Sequence, residues 1–313
     1  KSTDDLALEA IARAEGVTVE DLKEYQQFWQ DLESLQNPET NESVVEELRE
    51  IFRQIIAERK KQTTSSRLPV REGEILAKPA EAVIAIRAGE REPAVWETVE
   101  QKEKPRELFG DFDVTVVADR SDSMKGNKAM EQRRAVALVL EALKDFADDL
   151  DDWRPELAYD LNVRTEAWSF GGEAEVNVLK TLSTQLSDRE RVAVYKELAT
   201  TPGNNTLDFL ALEAIAKAIP DEDKAMLASR TLKKVIIVMS DGASDDPTRV
   251  QAVARTLRES GVAVLGVGIT AKGQPVVSTY APDGMVCERV ENLPTVLGAL
   301  LQDQLKDLLL KKE

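Results

Sequence analysis

The sequence contains no histidine and a single cysteine, Cys287, among its 313 residues. Zinc sites built from Cys and His are therefore excluded, and so are Ser-His-Asp and Cys-His catalytic groups. A disulfide within the chain needs two cysteines, so this composition points to a reducing compartment, and we expect a cytoplasmic protein. Any chemistry must depend on carboxylates, hydroxyls, lysine, arginine or a hard metal ion.

Long apolar runs are also missing, since none approaches the roughly 18 residues that span a bilayer. The chain begins with Lys1 and no signal-peptide pattern follows, so we expect it to be processed or cut from a longer protein. Its 41 basic and 58 acidic residues give a formal charge of −17. This charge disfavours binding to nucleic acid or to anionic lipid, and favours a basic or metal-bridged partner. Without a spanning apolar run, we expect no membrane insertion.

Two regions differ in their sequence pattern. Residues 1–108 are predicted to be a helical N-terminal region, because apolar residues recur there at helical spacing. Thr18 is expected to cap one of its helices, and the stretch TTSSRLP predicts a linker near 63–69. From 109 to 313 strands and helices alternate, which predicts an α/β domain with a mainly parallel sheet.

The candidate site begins where the first strand of the second region ends. A β-branched apolar run, VTVVA, predicts a buried strand, and Asp119, Ser121 and Ser123 follow it just before a long helix. Open α/β sheets place ligand sites at such strand ends. Three oxygen side chains crowded at one strand end suit a hard cation such as Mg²⁺.

Two later stretches supply further oxygen ligands. Thr206 lies in a Gly-Asn-Asn-Thr loop that opens a helix, and Asp241 lies in the sequence VIIVMSDG, directly after the most clearly predicted strand. Together with Asp119, Ser121 and Ser123, these residues are in the order of the metal-ion-dependent adhesion site. The chain therefore resembles a von Willebrand factor A (vWA) domain protein over about its C-terminal two thirds.

The resemblance implies a fold, a cofactor and a role for each residue. The fold is a Rossmann-like vWA domain, preceded here by an α-helical region. The hydroxyls of Ser121, Ser123 and Thr206 would coordinate Mg²⁺, with Mn²⁺ or Ca²⁺ as alternatives. Asp119 and Asp241 would act mostly through bound water, and one open position would take a carboxylate from a partner.

Two positions depart from the family pattern. Asp122 replaces the usual small residue between the two serines, and Asn204-Asn205 stands where the family often has glycine. Neither change removes a ligand. Asp122 either adds negative charge that tightens the metal or points to solvent.

Helices followed by a vWA domain resemble the vWA subunits of cobalt and magnesium chelatases and the nitric oxide reductase activation proteins. That likeness implies a non-enzymatic, co-chaperone-like adaptor that works with an AAA+ ATPase. The partner would present Asp or Glu to the metal.

Three alternatives remain open at this point. One is a Mg²⁺-dependent hydrolase or phosphotransferase, in which Asp119 and Asp241 hold the metal and a water nucleophile; it lacks a recognisable general base and phosphate-binding loop. Another is an extracellular adhesion-type vWA protein, which fits less well because such domains often carry a disulfide. In the last, the metal has only a structural role.

Overall fold

The computed structural model describes residues 3–57, 62–70, 75–76, 96–104, 111–153, 162–172 and 175–309. The chain divides into two compact units. One unit combines Lys1–Ala57 with Phe109–Glu313, and the other is Glu58–Leu108.

Three helices open the chain, namely α1 (Thr3–Glu15), α2 (Val19–Glu33) and α3 (Val44–Ala57). Thr18 caps α2 as expected, because its side-chain oxygen accepts a hydrogen bond from the main-chain N–H of Asp21 at 3.1 Å. The three helices belong to the same compact unit as the large sheet. This grouping differs from the predicted division into 1–108 and 109–313.

The smaller unit contains an antiparallel sheet of strands β1 (Gln62–Val70), β2 (Ile75–Leu76) and β3 (Trp96–Lys104), in the order β1-β3-β2. The linker predicted near 63–69 is therefore wrong, since these residues lie within β1. Each residue of β1 is paired with one in β3. Pairing with a segment distant in sequence supplies the backbone hydrogen bonds, and local composition does not reveal such pairing.

The large sheet has six strands in the order β6-β5-β4-β7-β8-β9, and all are parallel except β6. The strands are β4 (Asp111–Asp119), β5 (Asn162–Gly171), β6 (Glu175–Ser183), β7 (Leu232–Ser240), β8 (Val262–Ile269) and β9 (Gly284–Cys287). Every residue of β7 and β8 is buried, as parallel strands covered on both faces should be. The predicted mainly parallel sheet flanked by helices is confirmed.

Helices cover both faces of this sheet. They are α4 (Asn127–Trp153), α5 (Asp188–Glu197), α6 (Asp208–Ala218), α7 (Asp221–Ser229), α8 (Pro247–Glu259), α9 (Gln274–Thr279) and α10 (Leu293–Leu309). Core residues of α3, α4 and α10 form one apolar cluster, and those of α6 and α8 form another on the opposite face. In the part of the chain that the structure describes, no helix combines the length and apolarity that crossing a bilayer requires.

Two of the N-terminal helices, α2 and α3, contact α4. The buried Phe52 ring of α3 stacks on Phe146 of α4, with 6.0 Å between ring centroids. The hydroxyl of Tyr25 in α2 donates to the Glu141 carboxylate of α4 at 2.7 Å, and Arg191 of α5 donates to the same carboxylate at 2.6 Å. Apolar burial together with these buried polar contacts joins the helices to the sheet layer.

Charged side chains lie inside the sheet layer, near the amino ends of β4, β5 and β7. Arg164 donates two hydrogen bonds to the fully buried Asp113, at 2.7 and 2.9 Å. Lys234 donates to the buried Glu166 at 2.7 Å, and the Thr115 hydroxyl donates to the same carboxylate at 2.6 Å. Burial opposes ionisation of Glu166, but the Lys234 ammonium and the hydrogen bonds outweigh it and lower the pKa of this carboxyl.

We expect Lys234→Met to destabilise the protein by about 3–5 kcal/mol at pH 7, because Glu166 then remains buried without its cation. The lowered pKa of Glu166 stabilises the wild type above the pKa of the unfolded chain, and this contribution is lost as pH falls through the folded pKa. In the variant the pKa is raised instead, so protonation at acid pH relieves the unpaired charge. Urea unfolding at several pH values should show the difference between the two proteins shrinking toward acid pH.

The double variant Lys234→Met with Glu166→Gln is the matched control, since it removes both charges. It should recover much of the stability lost at pH 7. Because it lacks the Glu166 titration, any deficit that remains relative to the wild type should be largest at pH 7 and shrink toward acid pH. A single variant as stable as the wild type at pH 7 would contradict the analysis.

Candidate metal centre

The first polar loop begins where β4 ends, at Asp119. One carboxylate oxygen of Asp119 accepts a hydrogen bond from the main-chain N–H of Ser121 at 2.7 Å, and the other accepts one from the Ser240 hydroxyl at 2.6 Å. Ser123 lies two residues after Ser121, in a short 3-10 turn that leads into α4. Asp119 is only 1% exposed, so the loop begins with a buried carboxyl group.

The second loop follows β7, the neighbour of β4. Because the two strands are parallel, their carboxyl ends lie side by side and bring Asp241 to the first loop. The Ser123 hydroxyl donates to Asp241 Oδ1 at 2.6 Å, and the hydroxyls of Ser121 and Ser123 are 2.9 Å apart. Hydrogen bonds thus connect four of the five predicted ligands: Asp119, Ser121, Ser123 and Asp241.

The loop that carries Thr206 is joined to the same two loops through hydrogen bonds of its main chain. Its N–H donates to the Asp245 carboxylate at 3.1 Å, and its carbonyl accepts from the Asp245 N–H at 3.0 Å. Earlier in the same loop, Gly203 pairs with Ser121 and accepts a hydrogen bond from the Asp122 N–H. Thr206 is 7% exposed, and its loop contacts the other two loops through Gly203 and through Asp245.

The electrostatics of the cluster centre on Asp119. Burial raises the pKa of this carboxyl to about 6; hydrogen bonds from Ser240 and Ser121 oppose the shift, and the charge of Asp241 adds to it. Asp241 is itself 3% exposed. Two buried carboxyl groups so close together are costly to ionise, and a cation between them would offset that cost.

The donor set fits a hard divalent cation. It consists of three hydroxyls and two carboxylates, and Mg²⁺, Mn²⁺ and Ca²⁺ prefer such oxygen ligands. Within the described ranges, no group of three or more His, Cys, Asp or Glu side chains could hold a metal. The candidate site has only two carboxylates, so its fit depends on the hydroxyls of Ser121, Ser123 and Thr206.

Asp122 is 41% exposed at its side chain and forms an ion pair with Lys125 at 2.6 Å. Of the two roles considered for Asp122 from the sequence, its exposure and its pairing with Lys125 favour the solvent-facing one.

Sequence analysis missed two residues that hold the first loop in place. The Gln132 side chain of α4 donates to the Asp119 carbonyl at 2.7 Å and accepts from the Asp119 N–H at 3.2 Å. Arg120 donates to the carbonyl of Thr200 at 3.2 Å and to its hydroxyl at 2.7 Å, and thereby ties this loop to the segment that leads to Thr206. A glutamine on the buried, apolar face of an amphipathic helix is a detectable signal, whereas nothing local marks Arg120.

A third missed residue, Lys128, lies in the first turn of α4. Its ammonium donates to the Ser123 carbonyl at 2.9 Å and forms an ion pair with Asp241 Oδ2. The sequence signal that could have found it is a basic residue at the start of a helix, where acidic residues are preferred.

The sheet is open and mainly parallel, and polar loops gather at the carboxyl ends of two of its central strands, which is where open α/β sheets place their ligand sites. Residues 113–284, more than half of the chain, match the family model for the von Willebrand factor type A domain, and the chain belongs to this family.

A Treponema pallidum (strain Nichols) protein described as uncharacterized is 24% identical over 196 residues, which are 59% of this chain and 33% of that protein. The chain thus spans about a third of that relative's length. Among solved structures, proximal thread matrix protein 1 from the mussel byssus is 14% identical with a TM-score of 0.43, and covers 63% of this chain and 47% of its own. The manganese-loaded TRAP protein of Plasmodium vivax is 16% identical with a TM-score of 0.41, covering 63% and 74% respectively.

We expect Gly203→Ala to destabilise the loop that carries Thr206. A Cβ at position 203 would lie 1.7 Å from the Cα of Gly172, so the backbone must move. Such overpacking costs about 1–3 kcal/mol. Gly242→Ala is the matched control, since a Cβ there meets nothing within 4 Å. Urea unfolding that places both variants at the same midpoint would contradict this prediction.

Proposed function

We propose that this vWA domain is a non-catalytic protein-interaction module with an intact metal-ion-dependent adhesion site. The observation that carries the proposal is the hydrogen-bonded cluster of Asp119, Ser121, Ser123 and Asp241 at adjacent strand ends. Asp119 is buried there with neutral hydrogen-bond donors as its partners. A divalent cation would supply the positive charge that Asp119 lacks among these partners.

In this proposal the hydroxyl oxygens of Ser121, Ser123 and Thr206 bind Mg²⁺, and Asp119 and Asp241 hold water on it. Bound Mg²⁺, or Mn²⁺ or Ca²⁺ in its place, supplies an electrophilic position for an incoming carboxylate. Ser123 suits its role because it donates its only proton to Asp241. Its oxygen then accepts from the Ser121 hydroxyl and keeps a second lone pair for a metal.

The charge of the chain supports a metal-gated contact. A partner that presents Asp or Glu approaches a protein with a formal charge of −17, so repulsion disfavours binding without a cation. The partner that we propose is an AAA+ ATPase, because helices ahead of a vWA domain resemble the chelatase-type adaptors. Here α1, α2 and α3 share one compact unit with the site, so the partner would meet them as parts of one unit.

A non-catalytic role is supported by what the sequence lacks. It contains no histidine, the commonest general base, and it shows no recognisable phosphate-binding loop. We further propose that the chain works in the cytoplasm, as its single cysteine suggests.

We expect Mg²⁺ to raise the unfolding temperature of the wild type but not that of Asp119→Asn. At a metal concentration of about 100 times Kd, binding stabilises the folded state by about 2.7 kcal/mol. In EDTA the variant should be at least as stable as the wild type, because it removes a buried charge. Asp122→Asn is the matched control and should keep the metal response, since Asp122 is exposed. An equal response in all three proteins would show that Asp119 does not hold the metal.

The partner is tested by pull-down from a lysate of the source organism, with Mg²⁺ and again with EDTA, using wild type and Asp119→Asn. Retention of an AAA+ ATPase by the wild type in Mg²⁺ alone is the expected result. The same proteins in every lane would mean that the metal is not the contact. Turnover of a generic phosphoester by the wild type, absent from the variant, would favour the hydrolase alternative instead.

A further inference from the structure

Lys128 places a positive charge inside the candidate metal centre. Its ammonium pairs with Asp241 Oδ2, while Asp241 Oδ1 accepts the Ser123 hydroxyl at 2.6 Å. Both oxygens of this carboxylate are therefore engaged by groups of the protein. The Lys128 side chain is 21% exposed, so its ammonium has a route to solvent if the pair opens.

The position of Lys128 in α4 is unfavourable for helix stability. It lies in the first turn of a 27-residue helix, where the helix dipole is positive and no acidic residue offsets it. Residues that break a local rule are expected at functional sites, where another interaction compensates them. The compensation here is the pair with Asp241 and the hydrogen bond to the Ser123 carbonyl.

A divalent metal and the Lys128 ammonium would compete for the Asp241 carboxylate. A metal held through Asp241, directly or through water, needs an oxygen that Lys128 now engages. An ammonium left beside the metal would also repel it, and that repulsion is strong where solvent is largely excluded. Metal binding at this site therefore requires Lys128 to give up Asp241.

We propose that Lys128 is an internal competitor of the metal, which holds Asp241 and sets the metal concentration at which the site fills. This inference rests on the proposed function, since it concerns the same site. Its consequence is a threshold: partner binding begins only when the metal concentration is high enough to displace the ammonium.

The test is a Mn²⁺ titration, followed by calorimetry and by the electron paramagnetic resonance signal of free Mn²⁺, on wild type and Lys128→Met. Methionine keeps much of the length of the side chain and removes its charge. We expect Kd for Mn²⁺ to fall by about tenfold or more in the variant, since the competing charge is gone. Lys125→Met is the matched control: it removes the same charge three residues away, but Lys125 is 62% exposed and pairs with Asp122. Its Kd should stay within about threefold of the wild type.

The outcomes separate this inference from the proposed function. If the wild type binds Mn²⁺ as tightly as Lys128→Met, or more tightly, the competition is overturned and the proposed metal site stands. Binding by Lys128→Met alone would support the competition and would count against the proposed function of the wild type at that metal concentration. If neither protein binds Mn²⁺, both ideas fall.

A second measurement tests the Lys128–Asp241 pair without metal. The unfolding temperatures of wild type, Lys128→Met, Asp241→Asn and the double variant in EDTA form a double-mutant cycle. Competition requires coupling, so the shift in the double variant should differ clearly from the sum of the single shifts. Additive shifts would overturn the inference whatever the metal titration shows.

Discussion

The buried carboxylates on β4 must be compensated by positive charge or by hydrogen bonds, and the two ends of this central strand differ in how that is done. Asp113 and Asp119 lie on the same face of the strand because side chains alternate along it. Burial raises the pKa of both. Asp113 is compensated by the Arg164 guanidinium within the sheet layer. Asp119, at the carboxyl end, has only neutral donors among its hydrogen-bond partners and lies close to a second carboxylate, Asp241. At the amino end of the strand a protein side chain neutralises the buried carboxylate, whereas the carboxyl end is suited to a bound cation.

Parallel strand geometry determines where that cation would bind. The strands β4 and β7 are adjacent and parallel, so the loops after them open at the same edge of the sheet. The loop that carries Thr206 is drawn in by Gly203, which lies so close to Gly172 that a side chain would not fit. Arg120 and Gln132 hold the first loop from two sides. The proposed ligands thus owe their positions to rigid elements, as a preorganised binding site requires.

Much of the fold follows from local signals. Ser187 and Glu190 form the capping box expected of a helix start, and Asp246 with Pro247 begins α8 as their residue types predict. Continuous apolar runs marked the buried parallel strands correctly. The linker near 63–69 was predicted wrongly because no local signal marks β1. This strand depends on pairing with β3, about thirty residues away. Local composition carries no information about that partner.

Part of the candidate site likewise follows from local sequence signals, and part depends on contacts between segments distant in the chain. The sequence alone determined which oxygen side chains are proposed as ligands and their order, because each lies directly after a predicted strand or before a predicted helix, and such positions are local. Only the tertiary structure decided that Lys128 reaches Asp241, that Arg120 reaches Thr200, and that α3 packs on α4. The physical reason is that an ion pair or a packed helix depends on distances between segments far apart in the chain, whereas periodicity and capping depend only on neighbouring residues.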